Sequence, residues 1–126
     1  MSAATITRFA LALCLAVSGY VHAELYVNGY RVIPVIGESF RWQAGASFAL
    51  ALLVLLADPP VLRFAAAGLM AGALGGFALS RTTGLFGFTE HGWQPAPQAL
   101  VSVVVEVVAL ALLALPVLFA AHGRRA

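Results

Sequence analysis

Four long runs of apolar residues alternate with short polar connections along this chain. The runs cover about residues 8–26, 39–57, 61–80 and 97–120. Each is close to the roughly 20 residues that a helix needs to cross a bilayer. Four spans with short connections predict an all-α, transmembrane, up-down four-helix bundle. The pattern leaves one membrane domain over residues 1–126 and no soluble domain. Two readings compete for the first run. Arg8, an apolar stretch and Val21-His22-Ala23 fit a signal peptide cut after Ala23. A retained helix fits better, because it sets His22 and Glu24 at the membrane depth of other polar residues.

The connections carry their own signals. Asn28-Gly29, Pro34 and Gly37 predict a loop over 28–37. Ser39 is the expected N-cap of the second helix, with Glu38 at its positive end. Phe40, Arg41, Trp42 and Gln43 then read as an interfacial turn. Asp58-Pro59-Pro60 predicts a tight reversal in which Asp58 caps the third helix. That helix carries Gly68, Gly72 and Gly76 four apart, a stripe that lets another helix approach closely. Its expected use is packing within the chain; the sharper alternative is a seam to a second copy or to a membrane partner. Residues 81–95 form the next loop, with Phe86, Phe88 and Trp93 at aromatic-belt positions. Pro95 and Pro97 open the fourth helix, and Pro116 is expected to bend its far end.

Composition strengthens the membrane reading. Of 126 residues, 62% are hydrophobic and 10% charged, where soluble domains carry about a quarter charged. The net charge is +2, from scattered arginines. That is no basic patch, and nucleic acid is not an expected partner. Cys14 is the single cysteine, so no disulfide forms within the chain. Arg8, Arg63, Arg124 and Arg125 against Arg31, Arg41 and Arg81 place both termini in the cytoplasm of a plasma membrane by a narrow margin.

The polar residues gather at the opposite, outer end. Glu106 is the most informative of them, lying roughly 13 Å down the fourth helix. A carboxylate there is costly unless it is paired or meets water, so it is expected to face the bundle. Ser102 stands one turn away on the same face. His22 and Arg81 fall at similar depth, which permits a His22–Glu106–Arg81 cluster. Its plain alternative is a structural pair that fixes helix register. Glu90 and His91, with His22 and Glu24, are weak metal-ligand candidates. His22 and Glu24 project about 200° apart on a helix, so no metal or other cofactor is expected. No phosphate loop, nucleophile triad or CxxC motif is present.

Two stretches carry a resemblance. One is Gly29-Tyr30-Arg31-Val32-Ile33-Pro34-Val35-Ile36-Gly37 with Phe40 and Gln43. The other is Ser80-Arg81-Thr82-Thr83-Gly84-Leu85-Phe86-Gly87-Phe88 with Glu90, Trp93, Pro95 and Val105-Glu106-Val107. Together they resemble small uncharacterised four-helix integral membrane proteins of GC-rich Gram-positive bacteria. That likeness implies a fold and a membrane location but no activity. A looser similarity to DoxX-like proteins, which are linked to quinone or redox functions, rests on architecture alone. Three functions follow, in the order the residues favour them. The first is a non-enzymatic accessory or assembly subunit. The second is a proton- or solute-coupled transport module built on Glu106. The third is a redox protein or enzyme acting on a lipid-soluble substrate at the outer face.

Overall fold

The computed structural model describes residues 1–125 and is all-helical apart from turns and one isolated bridge. Helices α1 (Ala3–Val27), α2 (Ile36–Leu56), α3 (Pro60–Ser80) and α4 (Gln98–Arg125) follow one another up and down. All four are long and apolar enough to cross a membrane. A one-turn 3-10 helix, Tyr30–Val32, lies between α1 and α2. α1 packs on α2 and α4, and α3 closes the ring against the same two helices. One end of the bundle holds both long connections and is called the loop end here. The other, the termini end, holds both chain termini and the short α2–α3 turn.

Small residues make much of the interior, and many of the large apolar ones point outward. Ala44, Ala51, Ala66, Ala99 and Ala109 are buried, while Leu52, Phe64, Val104 and Val107 are exposed. In lipid this is the favourable sorting. Tails solvate large side chains as well as a protein core does, so helices associate through close backbone approach. Gly19 supplies the closest such approach. A Cβ built there meets the Ser47 Cβ at 3.2 Å and the Ala44 carbonyl at 3.3 Å. Ser47 is fully buried, and its hydroxyl has no hydrogen-bond partner. At the termini end Leu11, Leu15, Val54, Met70 and Leu113 complete a continuous apolar core.

The glycine stripe of α3 does not pack inside the chain. A Cβ on Gly68 or Gly72 meets nothing within 4 Å, and one on Gly76 reaches only Leu85 at 3.6 Å. The expected intrachain seam is therefore corrected: Gly19 on α1 makes the tight crossing, and the α3 stripe stays open.

Both expected helix caps are also corrected. α2 begins at Ile36, inside the segment read as loop, and Ser39 lies in its first turn with its hydroxyl donating to the Val35 carbonyl at 2.8 Å. The chain enters through a γ-turn centred on Val35 (φ 67°, ψ −45°), closed by the Ile36 amide donating to the Pro34 carbonyl at 2.7 Å. A β-branched residue at positive φ is strained and has no sequence signature. Gly37 belongs to the helix because it must be small. A Cβ there would lie 2.7 Å from the Arg31 carbonyl and 2.8 Å from that of Tyr30. At α3 the capping position is Pro59, without a side-chain cap bond. Asp58 instead takes the Arg63 guanidinium, at 3.2 and 3.3 Å. Arg8 donates to the Leu55 carbonyl at 3.1 Å, satisfying one of the open carbonyls at the end of α2. α4 starts at Gln98, after Pro97, and runs through Pro116 as one helix to Arg125.

Candidate functional site

Glu106 sits eight residues into α4, about 12 Å from its start, and is only 1% exposed. Its Oε2 accepts two hydroxyls: Ser102, one turn back on the same helix, at 2.7 Å, and Ser18 of α1 at 3.0 Å. Both bonds favour the ionised carboxylate, and burial opposes it. Among the described residues no hydrogen bond reaches Oε1.

His22 lies one turn beyond Ser18 on α1. Its Nδ1 is 2.8 Å from the Ser18 carbonyl. A carbonyl oxygen only accepts, so Nδ1 carries the hydrogen, and in the neutral ring Nε2 is left as an acceptor. The ring is buried and meets Phe40 edge-on, with centroids 4.9 Å apart.

Arg81 lines the same cavity as His22 and Glu106 but makes no ion pair with Glu106. Its Nε donates to the Gly92 carbonyl at 3.1 Å, Nη1 to the Ser80 hydroxyl at 2.7 Å, and Nη2 to the Gln94 carbonyl. The guanidinium lies 4.1 Å over the Phe77 ring, against which Trp93 also stacks. Arg81 thus fastens the 81–97 connection to the end of α3.

Glu90 accepts the Tyr30 hydroxyl at 2.5 Å and ties the two connections of the loop end together. The length fits a charge-assisted O–H···O⁻ bond. Burial first, then the bond to Glu90 and its negative charge, push the Tyr30 phenol well above its ordinary range; Arg81 works in the opposite direction. Tyr30 also stacks on Phe40 and meets Phe88 edge-on. Leu85 to Phe88 turn through positive φ at Phe86 and Gly87, the geometry of a type I′ turn, which presents Phe88 to Tyr30. His91 is exposed beside this network and does not reach the other candidates. Glu24 accepts from the Gln98 amide at 3.2 Å. Among the described residues no three His, Cys, Asp or Glu side chains form a group able to hold a metal.

These elements enclose a cavity of about 240 Å³ at the loop end. His22, Gln43, Arg81, Gln98, Ser102 and Glu106 reach it, with Val21, Ile36, Phe40, Phe77 and Phe88 among its apolar walls. Glu106 is the deepest α4 residue on its lining. Beyond Glu106, toward the termini, the core is the continuous apolar layer of Leu11, Leu15, Val54, Met70, Ala109 and Leu113. A second, more open groove at the termini end contains Asp58 and Arg63, whose charges satisfy each other.

Ser18, Tyr30, Gln43 and Gln98 are site residues that sequence reasoning missed. A signal for Ser18 was available. Ser18 and His22 stand four apart on α1 as Ser102 and Glu106 do on α4, so each apolar helix carries one polar stripe. The chain has no match among protein-family models, curated proteins or solved structures.

Proposed function

We propose that this chain is a non-enzymatic, multi-pass membrane protein that binds a small lipid-soluble molecule in the loop-end cavity. The observation that carries the reading is the convergence of His22, Gln43, Gln98 and Glu106 on one apolar-walled space of about 240 Å³. Small-molecule sites combine mostly apolar walls with a few placed polar groups in this way. An ionisable residue at membrane depth that faces a cavity is a functional group by default. The apolar layer beyond Glu106 favours a closed pocket over a passage for protons or solutes. The arginine distribution supports a plasma-membrane orientation with cytoplasmic termini, so that the pocket opens toward the outer leaflet. The resemblance to small four-helix membrane proteins of GC-rich Gram-positive bacteria fits this reading of a membrane protein.

A second reading, an accessory subunit of a larger membrane complex, is favoured by one separate observation. Gly68 of α3 presents open backbone outside the cavity, whereas Gly72 and Gly76 lie on the cavity lining. Native mass spectrometry of the gently extracted protein tests both. A discrete non-lipid mass on the single chain supports the pocket. A stoichiometric partner chain with no small molecule moves the function to the α3 face, and a chain carrying only bulk lipid counts against the pocket.

A further inference from the structure

Glu106 and His22 turn open acceptors to the cavity, while Arg81, Gln43 and Gln98 each keep spare N–H donors on its lining. With Glu106 ionised and His22 neutral, Oε1 of Glu106 and Nε2 of His22 are both acceptors, and neither takes a hydrogen bond from the described residues. Neither residue has an ion-pair partner: among the described residues the salt bridges are Arg41–Glu38 and Arg63–Asp58. Arg81 is the cation on the lining; one N–H on each of Nε, Nη1 and Nη2 is engaged, which fastens it to the 81–97 connection, and two N–H groups remain. The walls are aromatic, with Tyr30, Phe40, Phe77 and Phe88 on the lining. Aromatic faces attract cations, most strongly where water is excluded. An intramembrane carboxylate is costly without a counter-charge. An anionic ligand would meet two acceptors, and an alcohol would bring a donor but no charge. Positive charge, N–H donors and an apolar body match Glu106, His22 and the aromatic wall together.

Resting on the pocket reading above, we propose that the cavity takes a small lipophilic ammonium ion. Its N–H groups donate to Glu106 and His22, and its apolar body lies against Tyr30, Phe40 and Phe88. The volume sets the size. A space of about 240 Å³ is comparable to the liquid volume of about eight waters, enough for an arylalkylamine. Glu106 is the counter-ion, held in place by Ser18 and Ser102, which occupy its other oxygen and leave Oε1 to the ligand.

An isosteric pair of probes tests this. Phenethylammonium and propylbenzene share shape and differ in an ammonium for a methyl group. Binding to the full chain in micelles at neutral pH is read by NMR, as saturable shifts of the Tyr30, Phe40 and Glu106 resonances, which separates the pocket from partition into detergent. The expected result is binding of the ammonium about 10-fold or more tighter than the hydrocarbon, a difference of one decade in Kd. Glu106→Gln is expected to abolish that preference and leave propylbenzene binding in place, which also reports that the variant is folded. The wild-type comparison stands by itself should Glu106→Gln not insert. Equal binding of the two probes overturns the ammonium assignment and leaves the pocket reading intact. Saturable shifts from neither probe overturn both.

Discussion

The two ends of the bundle are made from the same four helices and solve opposite problems. At the termini end Leu11, Leu15, Val54, Met70 and Leu113 fill the interior, and the charges outside it pair locally, Asp58 with Arg63 and Arg8 with the end of α2. At the loop end Ser18, His22, Gln43, Gln98 and Glu106 enter the interior, and a cavity remains. The apolar end needs only shape, because its residues have no bonds to satisfy. The polar end needs partners, and nearly every polar group there has one: Glu90 has Tyr30, Glu24 has Gln98, and Arg81 has its carbonyls. The difference teaches where function resides in a chain this small. The apolar end holds the helices together so that the polar end can leave two acceptors unmatched.

Perturbing each end separates their contributions. The largest effect is expected at the buried carboxylate. Removing both donors with Ser18→Ala and Ser102→Ala strips two charge-assisted bonds from Glu106, at about 3 kcal/mol or more. Unfolding by SDS, followed by circular dichroism, measures it, and the double variant should depart from the sum of the singles because both hydroxyls share Oε2. A cost near zero would mean that Glu106 has partners other than these serines.

Next comes the apolar end. Leu15→Ala is expected to cost about 2 kcal/mol in the same assay. That is the low end of the range for soluble cores, since lipid tails already solvate leucine when helices separate. It should leave probe binding at the loop end unchanged, and a matching loss of binding would show that the two ends are not independent.

A glycine pair sharpens the account of packing. Gly19→Ala drives a Cβ to 3.2 Å from Ser47, and is expected to destabilise by about 1 kcal/mol once crowding outweighs helix propensity. Gly68→Ala meets nothing and should stabilise by up to about 1 kcal/mol through propensity alone. Loss of a co-purifying chain in Gly68→Ala would instead reveal a partner on α3.

The smallest effect belongs to the tie between the loops. Burial and Glu90 hold the proton on Tyr30 above its ordinary range. The unfolded chain releases that proton near pH 10 while the folded one keeps it. The resulting stabilisation is therefore complete below that pH and is lost as pH rises through the folded value. Tyr30→Phe should cost about 1 kcal/mol and remove this alkaline component. Fluorescence of Trp93 and Trp42 during unfolding at graded pH follows both, and an unchanged alkaline slope in Tyr30→Phe would place its source elsewhere.

The helices were legible along the chain because bilayer thickness sets their length and the apolar runs match it. Their bounds differ from the expected ones by a few residues at most ends, and by more at the start of α1 and the end of α4. Glu106 and Ser102 were legible for a similar reason: a carboxylate in an apolar run has few alternatives, and a residue one turn away is within reach whatever the fold. Residues that act across the bundle were not. Ser18 reaches Glu106 across 88 positions of sequence, and Tyr30 reaches Glu90 across 60. The start of α2 was hidden because the γ-turn at Val35 has no residue signature. Gly37 reads as a helix breaker until the carbonyls of Tyr30 and Arg31 are seen against it. Gly68, Gly72 and Gly76 form the better glycine pattern, yet Gly19 makes the contact, because a stripe shows only that a close approach is permitted. Local chemistry thus settled which segments enter the membrane and which group is out of place there. The packing of α1 against α2 and α4 decided its partners, because hydrogen bonds and close contacts depend on distances that the order of residues does not contain.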